Sequence, residues 1–427
     1  MELDDKMSMY STRDESSSRT ASKKEYRGQI IIDAYSYLRT ADTMIDEPPL
    51  GSLIVMPHGE SDCLCQVCRR SPVITWRDKE VPKKATKEQF ELFAASPDRL
   101  MMCPPRVLGY ALKSKTWAQF RIRSCKDAIS EQKSYFAEQL QLKDDYKKML
   151  LAVVNSHRGT LRSAEAAPED AKASLPRSLD VIEGKGKGLA ILLHGPPGVG
   201  KTLTAESIAL ATGRSLLTVS VAEIGTAADW AEDRLNIFFV LAARWGAILL
   251  VDEADVFLEE RTQNDGANRN ALVSVLLRCL EYYEGIIFLT TNRITSIDVA
   301  VQSRMHIAIQ FENLKADQRY AIYKYHLDKV PDVKIKGDRD RLYSEVKSRF
   351  CRKRQALNGR QIRNIVSTAL SLAGDRERNP DENGPSDGKL RISDLERVHE
   401  TTTDFLESMK DTMDKWRRKN EALGEDD

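Results

Sequence analysis

The residues Gly195-Pro196-Pro197-Gly198-Val199-Gly200-Lys201-Thr202 fit the pattern G-x-x-x-x-G-K-[ST] at every fixed position. Glycines at this spacing let backbone N–H groups turn inward around phosphate oxygens, and a helix starting behind them adds the partial positive charge of its N-terminus. Lys201 is placed to reach β- and γ-phosphates, Thr202 to offer its hydroxyl to Mg²⁺, and Leu203 completes the nucleotide-lining set. Further on, Ile248-Leu249-Leu250-Val251-Asp252-Glu253 is an apolar run ending in two acids. Asp252 is expected to hold Mg²⁺, directly or through water, and Glu253 to polarise a water for attack on the γ-phosphate. The chemistry is that of a nucleoside-triphosphate site with Mg²⁺.

The elements that must position these residues follow from the pattern around them. Leu189–His194 reads as a buried strand entering the loop, and Leu203 to Ala211 as the helix leaving it, stopped by Gly213. Further strands are expected at Ser215–Val221, Ala247–Val251, Gly285–Thr291 and His306–Phe311. Between them Leu235, Phe238, Phe239 and Ala242 mark one helix, and Leu272, Val275, Leu276 and Cys279 another. Such alternation predicts a parallel sheet covered by helices on both faces. After Phe311 the expected elements are helices at Ala316–Leu327, Asp340–Phe350, Gln361–Ala373 and Ser393–Arg418, the last opened by Ser393 and Glu396 in capping-box spacing. Before the loop, Gln29–Asp33, Ser52–Met56 and Val73–Trp76 read as short strands, and 108–112 with 116–122 as a hairpin around Lys113-Ser114-Lys115. A helix with Tyr146, Met149, Leu150 and Val153 on one face closes that region. The expected organisation is a disordered leader (1–25), an α+β N-terminal domain (26–155), a linker (156–180), an α/β nucleotide-binding domain (181–312), a helical lid (313–418) and a disordered tail (419–427).

At 427 residues the chain is long enough for two or three domains. A net charge of +1 gives no global field toward nucleic acid or an anionic membrane, so a nucleic-acid motor lacks support. No apolar run approaches a membrane span, and the first 24 residues lack the apolar core of a signal peptide. Seven cysteines do not form a secreted disulfide framework, and the cytosol or nucleus is the expected compartment. Cys63, Cys65 and Cys68 are close enough to hold Zn²⁺ with His58 or Cys103 as a fourth ligand, or else they sit on a cysteine-bearing surface loop.

Gly195–Thr202, Asp252-Glu253 and Leu289-Thr290-Thr291-Asn292-Arg293 together resemble the AAA branch of the AAA+ ATPases. More narrowly the chain resembles a fungal AAA-type group with a poorly characterised N-terminal domain, through Gly184–Leu189, Asp252–Leu258, Leu357–Ile362 and Cys103–Tyr110. The resemblance covers about 180–370 most closely and 26–155 less so. It implies an AAA+ parallel-sheet module with a C-terminal helical lid, a ring oligomer (a hexamer in the family) and remodelling of a macromolecular partner that the sequence does not identify. It assigns Asn292 to sensor 1, on the γ-phosphate or the attacking water, and Arg304 to the arginine finger acting across a subunit boundary; a surface arginine is the alternative for Arg304. Arg360 stands where many AAA+ proteins carry sensor 2, although the AAA branch has a small residue there.

Three features depart from the pattern. Glu223 to Trp230 lacks the aromatic–hydrophobic–glycine triplet of threading members, and Trp230 itself reads as a pore residue or, more simply, as core. Ile307 replaces the second arginine of the finger region. Asp252-Glu253-Ala254-Asp255 spells an RNA-helicase string, but the second RecA-like domain and its motifs are not in the sequence. A nucleotide-gated scaffold that binds ATP with little turnover is the rival reading. Members of the group carry a longer N-terminal region, so a shortened form is an expectation of the resemblance.

Overall fold

The computed structural model describes residues 8–11, 22–37, 105–126, 140–157, 188–225, 228–258, 267–293, 297–351, 357–378 and 387–423. The chain divides into two compact units, Met1–Ile129 and Ser130–Asp427. The expected strands at 52–56 and 73–76, the expected linker beyond residue 157 and the cysteine cluster lie outside the described residues.

The first unit is an antiparallel sheet of β1 (Ser8–Ser11), β2 (Ser22–Glu25), β3 (Ile30–Ile32), β4 (Arg106–Ala111) and β5 (Thr116–Arg121), in the order β2-β1-β5-β4-β3. Tyr26, Ala111, Ala118 and Phe120 form its small core. Gly109 is required where β3 crosses β4, because a Cβ there would lie 2.5 Å from the Ile31 carbonyl oxygen. The leader expected to be disordered supplies β1 and β2. These strands pair through the main chain, with Met9 opposite Phe120 and Ser8 opposite Glu25, so a reading based on apolar content does not see them.

The second unit holds five parallel strands, β6 (Leu189–His194), β7 (Leu216–Ser220), β8 (Ile248–Asp252), β9 (Ile286–Thr291) and β10 (Ile307–Gln310), in the order β10-β6-β9-β8-β7. The chain leaves β6 for the far edge at β7, returns through β8 and β9, and crosses to β10. The C-terminal ends of β6, β9 and β8 are therefore neighbours, and ligands of open α/β sheets bind beyond such ends. The connecting helices are α1 (Asp144–Ser156), α2 (Lys201–Thr212), α3 (Val221–Ile224), α4 (Ala228–Trp245), α5 (Asp255–Leu258), α6 (Ala267–Tyr282) and α7 (Val299–Gln302).

Helix α1 does not close the first unit. Its Leu150 and Val154 belong to the same apolar cluster as Ile191, Leu193, Ile208, Leu250 and Phe288 of the parallel sheet and α2. The buried pair is Leu150 and Val154, both 0% exposed, whereas Tyr146 and Met149 of the expected face are 36% and 37% exposed.

Four helices follow, α8 (Ala316–Asp328), α9 (Arg339–Arg349), α10 (Gly359–Arg378) and α11 (Ile392–Leu423), around a separate core that includes Tyr323, Val346, Ile362, Ile365 and Leu395. The start of α11 differs from expectation. The Arg391 N–H donates to Asp394 Oδ2 at 2.9 Å, while Glu396 pairs with Arg349. Asp394, also held by Arg376, thus caps the start of α11 in place of the expected Ser393–Glu396 pair. Helix α11 continues through Leu423, so the disordered tail expected from 419 is helical over its first residues. Among the described residues no helix is long and apolar enough to cross a membrane.

Candidate nucleotide site

Strand β6 ends at His194, opposite Thr291 of β9, and the glycine-rich loop begins there. Gly195, Gly198 and Gly200 have φ of 141°, 73° and 103°, conformations that side chains rarely adopt. They turn the loop into the N-terminus of α2, whose first residue is Lys201. Lys201 is only 7% exposed. Its Nζ donates to the carbonyls of Gly195 (2.8 Å) and Pro196 (2.7 Å) and to Asn292 Oδ1 (2.8 Å). Burial pushes the Lys201 pKa down, an effect that the nearby carboxylates of Asp252, Asp255 and Glu253 oppose. Val199 is buried, Pro197 is exposed, and Pro196 and Thr202 are half-buried. Leu203, expected to line the nucleotide, packs against the apolar core under the sheet.

The acids sit one strand further along. Thr202 Oγ1 donates to Asp252 Oδ1 at 2.9 Å, across the gap between the loop helix and β8. Thr290 of β9 donates its hydroxyl to the same Asp252 oxygen and accepts the Glu253 N–H at 3.0 Å. Glu253 has φ 54°, one of two non-glycine residues with positive φ among the described residues, and its side chain is exposed. The next threonine, Thr291, donates to Asp255, which also accepts the Asn292 N–H at 3.2 Å. The two threonines thus tie β9 to the acidic turn. Neither threonine has a task legible from the motif that contains it; the available signal is a pair of hydroxyls ending a strand otherwise built from apolar residues.

The lid reaches the loop from the other side. Gly359, at the start of α10, donates its N–H to the Gly198 carbonyl at 2.8 Å. Asn358 and Gln361 form a reciprocal cap: the Asn358 N–H donates to Gln361 Oε1 (2.8 Å) and the Gln361 N–H to Asn358 Oδ1 (2.9 Å). A Cβ on Gly198 would fall 2.6 Å from the Asn358 side chain. Arg360 is exposed on this helix start, near enough that its charge helps to lower the Lys201 pKa.

Lys201, Thr202, Asp252, Glu253 and Asn292 are therefore brought together. Arg304, which follows α7, instead donates from Nη1 to the Ala300 carbonyl at 3.2 Å within its own helix region. Trp230 is 70% exposed near the start of α4, not core. The residues fit the ligand that their pattern implies. Thr202 and Asp252 present hydroxyl and carboxylate oxygens 2.9 Å apart, a hard donor set suited to Mg²⁺. The positive-φ glycines give a phosphate access to the loop amides. The zinc ligands expected at Cys63, Cys65 and Cys68 lie outside the described residues, and among the described residues no three or more His, Cys, Asp or Glu side chains cluster as a metal site would require.

Comparison with known proteins finds two family models. One, the ATPase family associated with various cellular activities (AAA), matches residues 191–313. The other, the fungal AAA+ ATPase lid domain, matches 314–416. Together they run over more than half of the chain. Among curated relatives, ATPase family AAA domain-containing protein 3B of Homo sapiens is 26% identical over 43% of this chain and 30% of its own length. Proteasome-activating nucleotidase 2 of Halobacterium salinarum is 26% identical over 43% of this chain and 47% of its own. The 26S proteasome regulatory subunit 8 homolog B of Arabidopsis thaliana is 28% identical over 36% of this chain and 38% of its own. The chain spans less than half the length of these relatives.

Proposed function

Because the chain belongs to the AAA ATPase family, we propose that it binds ATP with Mg²⁺ and hydrolyses it, as a ring oligomer that remodels a macromolecular partner. The observation that carries this reading is the convergence of Lys201, Asn292, Thr202, Asp252 and Glu253 beyond the ends of three adjacent parallel strands.

Each residue has a task set by its contacts. Lys201 exchanges its two loop carbonyls for phosphate oxygens, while the loop amides and the α2 N-terminus hold the rest of the phosphate charge. Thr202 and Asp252 hold the Mg²⁺, which when bound neutralises charge on the phosphates. Glu253 accepts the proton of the attacking water. Asn292, released from Lys201, orients that water or the γ-phosphate, since a carboxamide donates and accepts at once. Arg360 approaches from the lid, and Arg304 stabilises transition-state charge in a neighbouring subunit's site. The low net charge favours a protein over a nucleic acid as that partner.

The test is ATP turnover by the purified protein beside Glu253→Gln, with nucleotide affinity and oligomer mass recorded for both. The expected outcome is turnover by the parent chain and a variant that binds ATP, assembles and stalls, its rate lower by about 10²-fold or more. Equal binding with turnover in neither protein would overturn the hydrolytic reading in favour of a nucleotide-gated scaffold.

A further inference from the structure

We propose that Thr290 is a positioning residue for hydrolysis, holding Glu253 in its left-handed backbone conformation through one bridging hydroxyl. The inference rests on the ATPase reading above.

Strands β8 and β9 pair in register as far as Val251 opposite Leu289. Beyond that point the main-chain ladder gives way to Thr290. Its hydroxyl donates to Asp252 Oδ1 and accepts the Glu253 N–H at 3.0 Å, and its carbonyl accepts the Ala254 N–H at 2.8 Å. One residue, 2% exposed, therefore grips three consecutive positions of the acidic turn. The middle position is the one with φ 54°. A glutamate has no intrinsic preference for that region, so surrounding contacts must impose it, and such over-determined strain gathers at functional sites. The turn leaves the Glu253 side chain exposed and near enough to Lys201 for its charge to be felt there.

A β-branched residue inside a sheet has a simpler explanation: Thr290 fills space, and valine would serve equally. The two accounts diverge at the hydroxyl. Thr290→Val keeps the shape and removes the bridge, while Thr290→Ser keeps the bridge and removes a methyl. Positioning predicts that Thr290→Val loses turnover by roughly 10²-fold, with ATP affinity within about threefold of the parent, and that Thr290→Ser retains most of the rate. Packing predicts the reverse order, with serine the more harmful and a fall in Tm that tracks the rate.

The deciding measurements are kcat, ATP affinity and Tm for both variants, and a crystal structure of Thr290→Val. Loss of turnover in valine alone, with Glu253 leaving positive φ, upholds the proposal. Turnover retained by valine, or both variants failing in step with Tm, overturns it. If the parent chain itself does not hydrolyse ATP, the ATPase reading falls separately. The Glu253 backbone in the valine structure then decides alone: positive φ retained overturns the positioning role, and its loss upholds it.

Discussion

Lys201 could be singled out in the sequence because it completes the G-x-x-x-x-G-K-[ST] pattern, and Asp252 and Glu253, a weak signal alone, because they end an apolar run downstream of that pattern. What holds them could not. The Lys201–Asn292 contact joins residues 91 positions apart, and the Thr290–Asp252 contact joins residues 38 apart, each made only when strands β6, β9 and β8 lie side by side. The contact also makes a prediction. Asn292 takes one of three hydrogen bonds from a buried ammonium, so its amide has two uses, one with the lysine and one with the reacting group. Asn292→Ala is expected to lower kcat by about 10²-fold, the scale of removing one polar contact to a transition state, and to change ATP affinity far less. Steady-state kinetics beside a direct nucleotide titration separates the two. An equal loss in both would make Asn292 a ground-state binding residue.

At the scale of elements, the parallel strands were legible, whereas the strands of the leader and the docking of helices were not. An uninterrupted apolar run such as Leu189–Leu193 has few solutions besides a strand buried on both faces. Helix α1 was recognisable by its periodicity, but a stripe of apolar residues says nothing about the partner that covers it. The i, i+3, i+4, i+7 spacing selected Tyr146 and Met149 with Leu150 and Val153, and docking on the parallel sheet buries Val154 with Leu150 instead. The same limit hid the cap of α11, where a distant arginine, Arg376, recruits Asp394 to the N-terminus. Leu150→Ala tests the docking. Truncating a fully buried leucine in a packed core costs about 2–5 kcal/mol, and that loss should appear as an earlier denaturation midpoint, with protection by ATP shifted in parallel. A change under 1 kcal/mol would mean that α1 is peripheral to the nucleotide-binding core.

For the whole molecule, the parallel-sheet module with its C-terminal helical lid was an expectation of family resemblance, and neither the strand order nor the approach of lid to loop was read from any residue pattern. The second unit carries them as a sheet ordered β10-β6-β9-β8-β7 and a hydrogen bond from Gly359 to Gly198. A nucleotide held by that loop would have the start of α10 beside it. Arg304 has no such link: its hydrogen bond runs to Ala300, and the residues around Lys201 make their contacts without it. The proposed arginine finger, supplied by a neighbour, would account for that separation, and it can be tested without knowing the partner. Lys201→Ala removes the site and keeps the finger, while Arg304→Ala does the opposite. Each alone should hydrolyse ATP at least about 10²-fold more slowly than the parent. Mixed under conditions where native mass shows hetero-oligomers, they should recover turnover well above the sum of the two, because some interfaces then pair an intact loop with an intact finger. Turnover that stays at the sum, with mixed oligomers present, would assign Arg304 to its own subunit.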